Sequence, residues 1–192
     1  GGISQRLTTG STRSLAYYMN PTWIGDDILF TTNDFSLLRL PSTGGEPVPV
    51  PVQSTEGTLI NGFPSALPGN NLALITQANG EGNPTNIERI ALLELDSGIA
   101  TPLIDNAIDA HYVPPGHILF LRGRSMWAVP FALPSRSIAG PDVELITNMV
   151  SDRTGNNYSI SEQGQLVYMS VSEDVIAAET TQVELNAPVW VD

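Results

Sequence analysis

The feature that most constrains the fold is an internal repeat whose copies lie 44 to 48 residues apart. Each copy has an aromatic or apolar residue, a turn with Gly or Asp, and then a short apolar strand. The first strand residues of the four copies are Ile28, Leu72, Ile118 and Leu166. A period of roughly 40–50 residues with about four strands per unit is typical of a β-propeller blade. Because one blade cannot bury both of its faces, neighbouring blades must cover them.

Further apolar strands follow the repeated strand, as in residues 37–41 and 46–50. The sequence therefore predicts an all-β fold, a β-propeller of about four four-stranded antiparallel blades that forms part of a larger propeller. We predict a single domain over residues 1–192. The predicted blades are residues 9–52, 53–106, 107–148 and 149–192, and residues 1–8 close a preceding blade. An irregular β-sandwich is the alternative, because its turn signals also recur every 8–12 residues or so.

The segment from Asn86 to Leu95 is the best candidate for a helix, yet it also fits a strand. The turn-forming clusters NGEGNPT and DSG on its two sides favour the strand. In that strand Ile90 and Leu92 share one face, and Ala91 and Leu93 share the other. The repeated strands should also supply the core. The residues expected to be largely buried are Ile28, Phe30, Leu72, Leu74, Ile118, Phe120, Leu166 and Tyr168.

The charge balance limits the classes of partner. The net charge is −12, from 20 acidic and 8 basic side chains, and all of the basic residues are Arg. Such a surface repels polyanions, so nucleic acid and anionic membrane are poor partners. No stretch approaches the roughly 18–20 apolar residues that cross a bilayer, so we expect no membrane insertion by this chain. The absence of Cys excludes disulfides, thiolate catalysis and Cys-based zinc sites.

Candidate catalytic and metal sites are few. His111 and His117 flank a Pro-Pro pair, and Asp105 and Asp109 lie nearby in sequence, but a zinc site needs three or four ligands at recognisable spacing. We interpret the two imidazoles as exposed side chains of a blade-top loop. There is no Gly-x-Ser-x-Gly elbow to select a nucleophile. The sequence therefore predicts no catalytic residue, no cofactor and no metal site.

Two further oxygen-rich segments are candidate calcium sites. They are Asp26-Asp27 and the loop Asn79–Asn83, which lacks the terminal bidentate Glu of a calcium loop. We interpret the loop as a solvated hairpin tip. Aromatic residues at repeat positions usually stack between blades, and they form a binding platform if they face the axial mouth. The candidate binding surface comprises Trp23, His111, His117, Trp127 and Trp190.

Several segments resemble blades of TolB-like (WD40-like, PD40) propellers. The segments are residues 113–123 and 125–131, the blade-closing segment 39–47, the next blade at 158–168, and the strand 189–192. The resemblance spans nearly the whole chain. The Pro-Asp-Gly turn of the family appears here as Gly25-Asp26-Asp27, Pro68-Gly69-Asn70 and Pro115-Gly116-His117, all good turn formers. Such blades occur in sensor regions of bacterial Ser/Thr receptor kinases, which implies an extracytoplasmic location. The chain itself contains no kinase motif.

The sequence thus favours a non-catalytic module that binds a protein, a peptide or a glycan, as the sensor or scaffold part of a larger protein. One alternative is the accessory propeller of a prolyl-oligopeptidase-like hydrolase whose catalytic domain lies outside the chain. Another is a structural subunit of an extracellular assembly. Residues 6–8 and 189–191 should lie at an interface, with further blades of the parent protein or with another copy, because open blade ends expose apolar faces and strand edges.

Overall fold

A computed structural model describes residues 7, 19–32, 35–53, 59–79, 88–150, 158–161, 164–171 and 189–191. Every regular element in these ranges is a β-strand, which confirms the all-β prediction. The strands form four sheets in chain order. The chain divides into two compact units, residues 1–110 and 111–192. A search of the described residues finds no helix with the length and apolar character needed to span a bilayer.

Sheets 1 and 2 lie in the first unit, and each is a four-stranded antiparallel meander. The strands of sheet 1 are β1 (Met19–Ile24), β2 (Asp27–Thr31), β3 (Leu37–Pro41) and β4 (Val48–Pro49). The strands of sheet 2 are β5 (Leu59–Ala66), β6 (Leu72–Asn79), β7 (Glu88–Glu94) and β8 (Ala100–Asp105). Strand β7 confirms the strand interpretation of the ambiguous segment. Its interior residues are buried on both faces, which explains why its sequence also fits a buried helix.

Turn length shifts the repeat by one residue between these sheets. In sheet 1 a two-residue turn with Gly25 at φ +59° joins β1 to β2, and Trp23 lies opposite Ile28. In sheet 2 the turn has four residues beyond Leu67, and Ala66 lies opposite Ala73. Ala73 therefore occupies the place of Ile28, one residue later than the sequence alignment on Leu72 indicated.

The core of the first unit joins the two sheets. Its buried members in sheet 1 are Ile24, Leu29 and Leu37, and those in sheet 2 are Ala73, Ile75, Ala91, Leu93 and Leu95. The sheet 2 residues come from alternate positions of β6 and β7, so they share one face. Val50 and Val52, which follow β4, are partly buried against the same cluster. One face of sheet 1 is thus covered by one face of sheet 2, as stacked repeats require.

Two sets of close backbone contacts, which we call the rim contacts, lie at Gly98 and at the pair Gly44–Gly45 of the first unit. Gln53 N–H donates to the carbonyl of Gly98 over 2.7 Å, and a Cβ added to Gly98 would lie 2.5 Å from the carbonyl oxygen of Pro51. Likewise Gly45 N–H donates to Leu7, and a Cβ on Gly44 would lie 2.5 Å from the Leu7 oxygen. Leu7 therefore contacts sheet 1 as Pro51 contacts sheet 2. Of the predicted closing segment 1–8, Leu7 alone is described.

Sheet 3 has five strands and begins at the unit boundary. Its strands are β9 (Ile108–Val113), β10 (His117–Arg122), β11 (Ser125–Ala132), β12 (Ser137–Ile138) and β13 (Val143–Ile146). Both β12 and β13 pair with β11, at its end and its beginning respectively. The short β12 was not predicted. It forms because the turn at residues 133–136 brings Ile138 back opposite Phe131.

Sheet 4 has three strands among the described residues, namely β14 (Tyr158–Ile160), β15 (Leu166–Tyr168) and β16 (Val189–Val191). The segment after β13 joins sheets 3 and 4, since Met149 bridges Ser170 and Val171 N–H donates to the Asn148 carbonyl over 2.8 Å. The four sheets fall inside the four predicted blade ranges. The single domain and its blade boundaries remain predictions.

Six of the eight residues expected in the core are buried, from 0% exposed at Leu74, Ile118 and Phe120 to 9% at Leu72. Ile28 and Tyr168 are only partly buried. Both lie near the end of a strand, Ile28 in β2 and Tyr168 in the later strand 166–168.

Candidate functional site

The most distinctive surface is an apolar depression on one face of sheet 3, with a volume of about 450 Å³. Its lining residues are Val113, His117, Leu119, Ala128, Pro130, Pro141, Val143 and Leu145. Leu119 and Ala128 face each other across β10 and β11 and are buried or partly buried. Val143 and Leu145, at 57% and 51% exposed, stand beside them on β13. The depression is therefore a hollow floor with projecting apolar side chains at one side.

The corresponding position of sheet 1 carries an ion pair, on the face that packs against sheet 2. Asp27 begins β2 opposite a proline, as His117 begins β10 opposite Pro130, and Arg39 lies opposite Leu29 as Ala128 lies opposite Leu119. In sheet 1 the Arg39 guanidinium pairs with the Asp27 carboxylate across this face. In sheet 3 the corresponding side chains are an imidazole and a methyl group. The ion pair of sheet 1 therefore has no counterpart among the described lining residues of sheet 3.

The opposite face of sheet 3 carries Trp127. Its indole lies 5.0 Å from the Arg122 guanidinium, which also lies over Phe120 and donates to Asp142 over 2.7 Å. Asp142 immediately precedes β13, so this contact holds the outer strand against β11. The indole Nε1 of Trp127 is buried without a hydrogen-bond partner. Stacking with Arg122 fits a structural role for this tryptophan.

The structure does not bring the candidate binding residues of the second unit into one site. His117 is in the depression, Trp127 is on the other face of the sheet, and His111 is half-buried with its ring 5.2 Å edge-on from Tyr158. The backbone of Trp190 pairs with Val167 in sheet 4, and its side chain lies outside the described residues. In the first unit Trp23 is 62% exposed at the end of β1.

A buried polar ladder crosses sheet 2 and was not found from the sequence. Arg89 Nε donates to Gln77 Oε1 over 3.1 Å, and Gln77 Nε2 donates to Asn61 Oδ1 over 3.1 Å. The three residues occupy paired positions on β5, β6 and β7. Nearby, the backbone N–H of the buried Asp109 donates to Thr76 Oγ1 over 2.9 Å. These contacts satisfy polar groups that would be costly to bury unpaired.

Within the described part of the chain, no three His, Asp or Glu side chains are grouped closely enough to bind a metal ion. Residues 80–87, which hold most of the candidate calcium loop, lie outside the described residues. Asp27 of the other candidate pairs with Arg39. The predicted absence of a metal stays a prediction.

The depression could have been suspected from the sequence. Val143 and Leu145 alternate with acidic and polar neighbours in a strand that was predicted, and Ala128 and Pro130 alternate in the strand before it. What the sequence did not show is that these two strands pair with each other, which places the four side chains on one face.

Comparison with known proteins supports the fold class. The chain is similar in structure to the β-propeller domain of the Trilobed protease from Pyrococcus furiosus, described as having an open velcro topology (TM-score 0.51, 12% identity, 92% of this chain and 53% of that one). An oligogalacturonate lyase in complex with manganese is a second structural neighbour (TM-score 0.49, 13% identity, 77% of this chain and 44% of that one). No protein-family model and no curated protein sequence matches. The chain thus has a β-propeller fold and spans about half the length of these neighbours.

Proposed function

We propose that this chain is a non-catalytic β-propeller module that binds a protein or peptide through the depression on sheet 3. The observation that carries the proposal is the contrast at one repeat position. In sheet 1 this position holds the Arg39–Asp27 pair, on the face that packs against sheet 2. In sheet 3 its described lining is apolar, apart from His117, and stands beside two half-exposed aliphatic side chains. Exposed apolar clusters of this kind mark protein interaction sites.

The chemistry of the lining favours a protein or peptide over a glycan. None of the described lining residues is Trp, Tyr or Phe, so they offer no flat ring on which a sugar could stack. Among the same described residues only His117 has a polar side-chain group, so they offer few hydrogen bonds to sugar hydroxyls. Aliphatic side chains from a partner would instead replace water on Leu119, Val143 and Leu145.

The same lining supports a binding role and not a catalytic one. Acid–base chemistry needs paired titratable groups near the reacting atoms, and His117 is the one titratable side chain among the lining residues that the structure describes. The resemblance to TolB-like blades supports a sensor or scaffold role in an extracytoplasmic protein. An accessory propeller beside a hydrolase domain is the second candidate, since the P. furiosus neighbour is the propeller domain of a protease.

A displayed random-peptide library, selected on the immobilised chain, tests the binding proposal. We expect enrichment of peptides with apolar residues at alternate positions. Their binding should fall at least about tenfold in Leu145→Glu, because a buried unpaired carboxylate is costly. The matched control is Ile99→Glu, which changes an equally exposed aliphatic residue of the first unit, 52% against 51%. Equal binding by both variants, or no enrichment at all, would contradict the proposal.

Hydrolysis separates the two candidate roles. The isolated chain should not turn over peptide, ester or glycoside substrates. Turnover that copurifies with the chain through two further chromatographic steps would overturn the non-catalytic assignment. Peptidase activity confined to a longer protein that contains this chain would favour the accessory role.

A further inference from the structure

We propose that the partner at the sheet 3 depression is an extended peptide that adds a strand to the outer edge of β13 and lays its apolar side chains on the depression. The proposal rests on the proposed function, because it specifies the partner and the binding mode of the same surface. In strand addition, main-chain hydrogen bonds to a sheet edge provide affinity, and side chains at alternate positions provide specificity.

Strand β13 forms one edge of sheet 3. Among the strands that the structure describes, it pairs with β11 alone. In an antiparallel pair, successive residues direct their main-chain groups alternately toward the partner strand and away from it. The four residues of β13 include no proline, so each has both an N–H donor and a C=O acceptor. The outward-directed groups of β13 can therefore pair with a further strand.

One position of the outer strand differs between sheet 3 and the two sheets of the first unit. The residues at this position lie opposite third-strand residues that the repeated hairpins align. The pairs are Leu38 with Pro49 in sheet 1, Ala91 with Pro102 in sheet 2, and Trp127 with Glu144 in sheet 3. Those third-strand residues pair in turn with Phe30, Ile75 and Phe120. Glu144 therefore occupies the place at which the outer strands of sheets 1 and 2 have proline.

Proline at this position blocks the sheet edge. An edge strand accepts proline where the missing N–H would face away from the sheet, and such prolines protect the edge against pairing with another chain. Pro49 and Pro102 give sheets 1 and 2 that protection. By the same register, the N–H of Glu144 faces away from β11. Sheet 3 thus has a main-chain donor at its edge where Pro49 and Pro102 have no N–H.

The side chains of β13 specify what the added strand must contain. Val143 and Leu145 lie at the depression and are half exposed, and Glu144 between them lies on the Trp127 face of the sheet. Side chains that lie opposite one another on neighbouring strands interact directly. Aliphatic residues at alternate positions of the added strand cover Val143 and Leu145, and a Lys or Arg between them lies beside Glu144.

The charge of the chain favours the same partner. The net charge is −12, and Glu144 is exposed at the edge itself. Asp142, which precedes β13, is paired with Arg122. A basic peptide is therefore attracted to this edge, and an acidic peptide is repelled.

A fluorescein-labelled peptide, Lys-Val-Lys-Leu-Lys-Val-Lys, tests this binding mode by fluorescence anisotropy with the full 192-residue chain. Glu144→Pro should raise the dissociation constant at least about tenfold, because it removes the outward N–H as well as the charge. The fold should tolerate this proline, since sheets 1 and 2 have proline at the same position. The matched control is Glu144→Gln, which removes the charge and keeps the N–H, and it should raise the dissociation constant less than about threefold. Equal losses in the two variants would overturn strand addition.

N-methylation of the peptide tests main-chain pairing on the unaltered chain. Methyl groups on one set of alternate residues should abolish binding, and those on the other set should change it less than about threefold, because only every second N–H faces β13. A peptide of the same composition with its three aliphatic residues in succession should bind at least about tenfold more weakly. Equal effects of N-methylation at all positions would contradict strand addition, even if Glu144→Pro does not fold.

The outcomes separate this inference from the function on which it rests. If peptide binding depends on Leu145 but is the same for Glu144→Pro and Glu144→Gln, the binding function stands and strand addition is wrong. If binding does not depend on Leu145 either, both proposals fail.

Discussion

Sheets 1 and 3 have the same strand pairing at their repeated hairpins and opposite chemistry on one face. In sheet 1, the residue opposite Leu29 is Arg39, which pairs with Asp27, and Val50 packs onto the core. In sheet 3, the residue opposite Leu119 is Ala128, and Leu145 remains half exposed. Two sheets with the same strand register can therefore differ in how one of their faces is covered.

The difference shows where function can diverge in a repeat protein. The repeated strands must keep apolar residues, because those residues form the core whatever the protein binds. The outer part of a blade face is under weaker packing constraint, so its side chains can differ between sheets of the same repeat type.

The largest effect should appear when the same Leu→Ala substitution is made at a buried position and at a half-exposed one. Leu29→Ala should lower the free energy of unfolding by about 3 kcal/mol, because Leu29 is 0% exposed and its loss leaves a cavity. Leu145→Ala should change it by less than about 0.5 kcal/mol, because Leu145 is 51% exposed. Urea unfolding followed by tryptophan fluorescence measures both. Similar losses would mean that the sheet 3 face is already covered.

Replacement of Gly98 tests its rim contact with Pro51. Gly98→Ala should destabilise by about 2 kcal/mol or more, because φ is +71° and the new Cβ would lie 2.5 Å from the Pro51 oxygen. Gly123→Ala in the second unit is the matched control, since φ is +60° and no atom lies within 4 Å of the added Cβ. There we expect only the left-handed backbone cost of about 1 kcal/mol. Equal midpoints in thermal unfolding would refute the role of the rim contact.

Introducing the ion pair of sheet 1 into sheet 3 should fill the depression. In the double variant His117→Asp with Ala128→Arg, sheet 3 acquires the pair that Asp27 and Arg39 form in sheet 1. The free energy of unfolding should change by less than about 1 kcal/mol, because partly exposed ion pairs contribute little. Peptide binding should fall at least about tenfold. Unchanged binding, measured by fluorescence anisotropy, would show that the hollow is not the contact surface.

The smallest effect concerns a buried hydroxyl within the sealed unit. Thr31 is 0% exposed, and its Oγ1 has no hydrogen-bond partner. Thr31→Val should therefore raise the free energy of unfolding by about 0.5–1 kcal/mol. Thr76→Val is the control and should lower it by about 1–2 kcal/mol, because Thr76 Oγ1 accepts from Asp109 N–H. A loss of stability in Thr31→Val would mean that the hydroxyl is satisfied in solution.

Much of the fold was predictable because it depends on local patterns. Turn residues and alternating apolar residues placed β2, β3 and β10 in the sequence, and turn clusters on both sides identified β7 as a strand. The error at Leu72 arose because hydrophobic residues occupy two consecutive positions at the start of β6, and only the hairpin register chooses between them. Strand β12 is only two residues long and pairs with β11 across the turn at residues 133–136, so its sequence is too short to show an alternating apolar pattern.

The candidate site was less predictable, for a related reason. His117 was selected from the sequence for its possible chemistry, and it lies at the depression. The aliphatic residues around it look like ordinary core residues in the sequence. Whether Val143 and Leu145 are buried or exposed depends on what covers their face, and burial is a property of the packed sheets.

Local patterns in the amino-acid sequence were enough to predict the all-β class, the repeat, most strand positions and six of the eight expected core residues, because the period of two in strands and the turn preferences of Gly, Pro, Asn and Asp act over a few residues. Which faces of the sheets are covered depends on the tertiary structure. Pairing of β13 with β11 aligns Val143 with Ala128, and the small side chain of Ala128 leaves a hollow where Arg39 reaches Asp27 in sheet 1. Such a surface is set by contacts between residues distant in sequence, so it is visible only once the strands are paired.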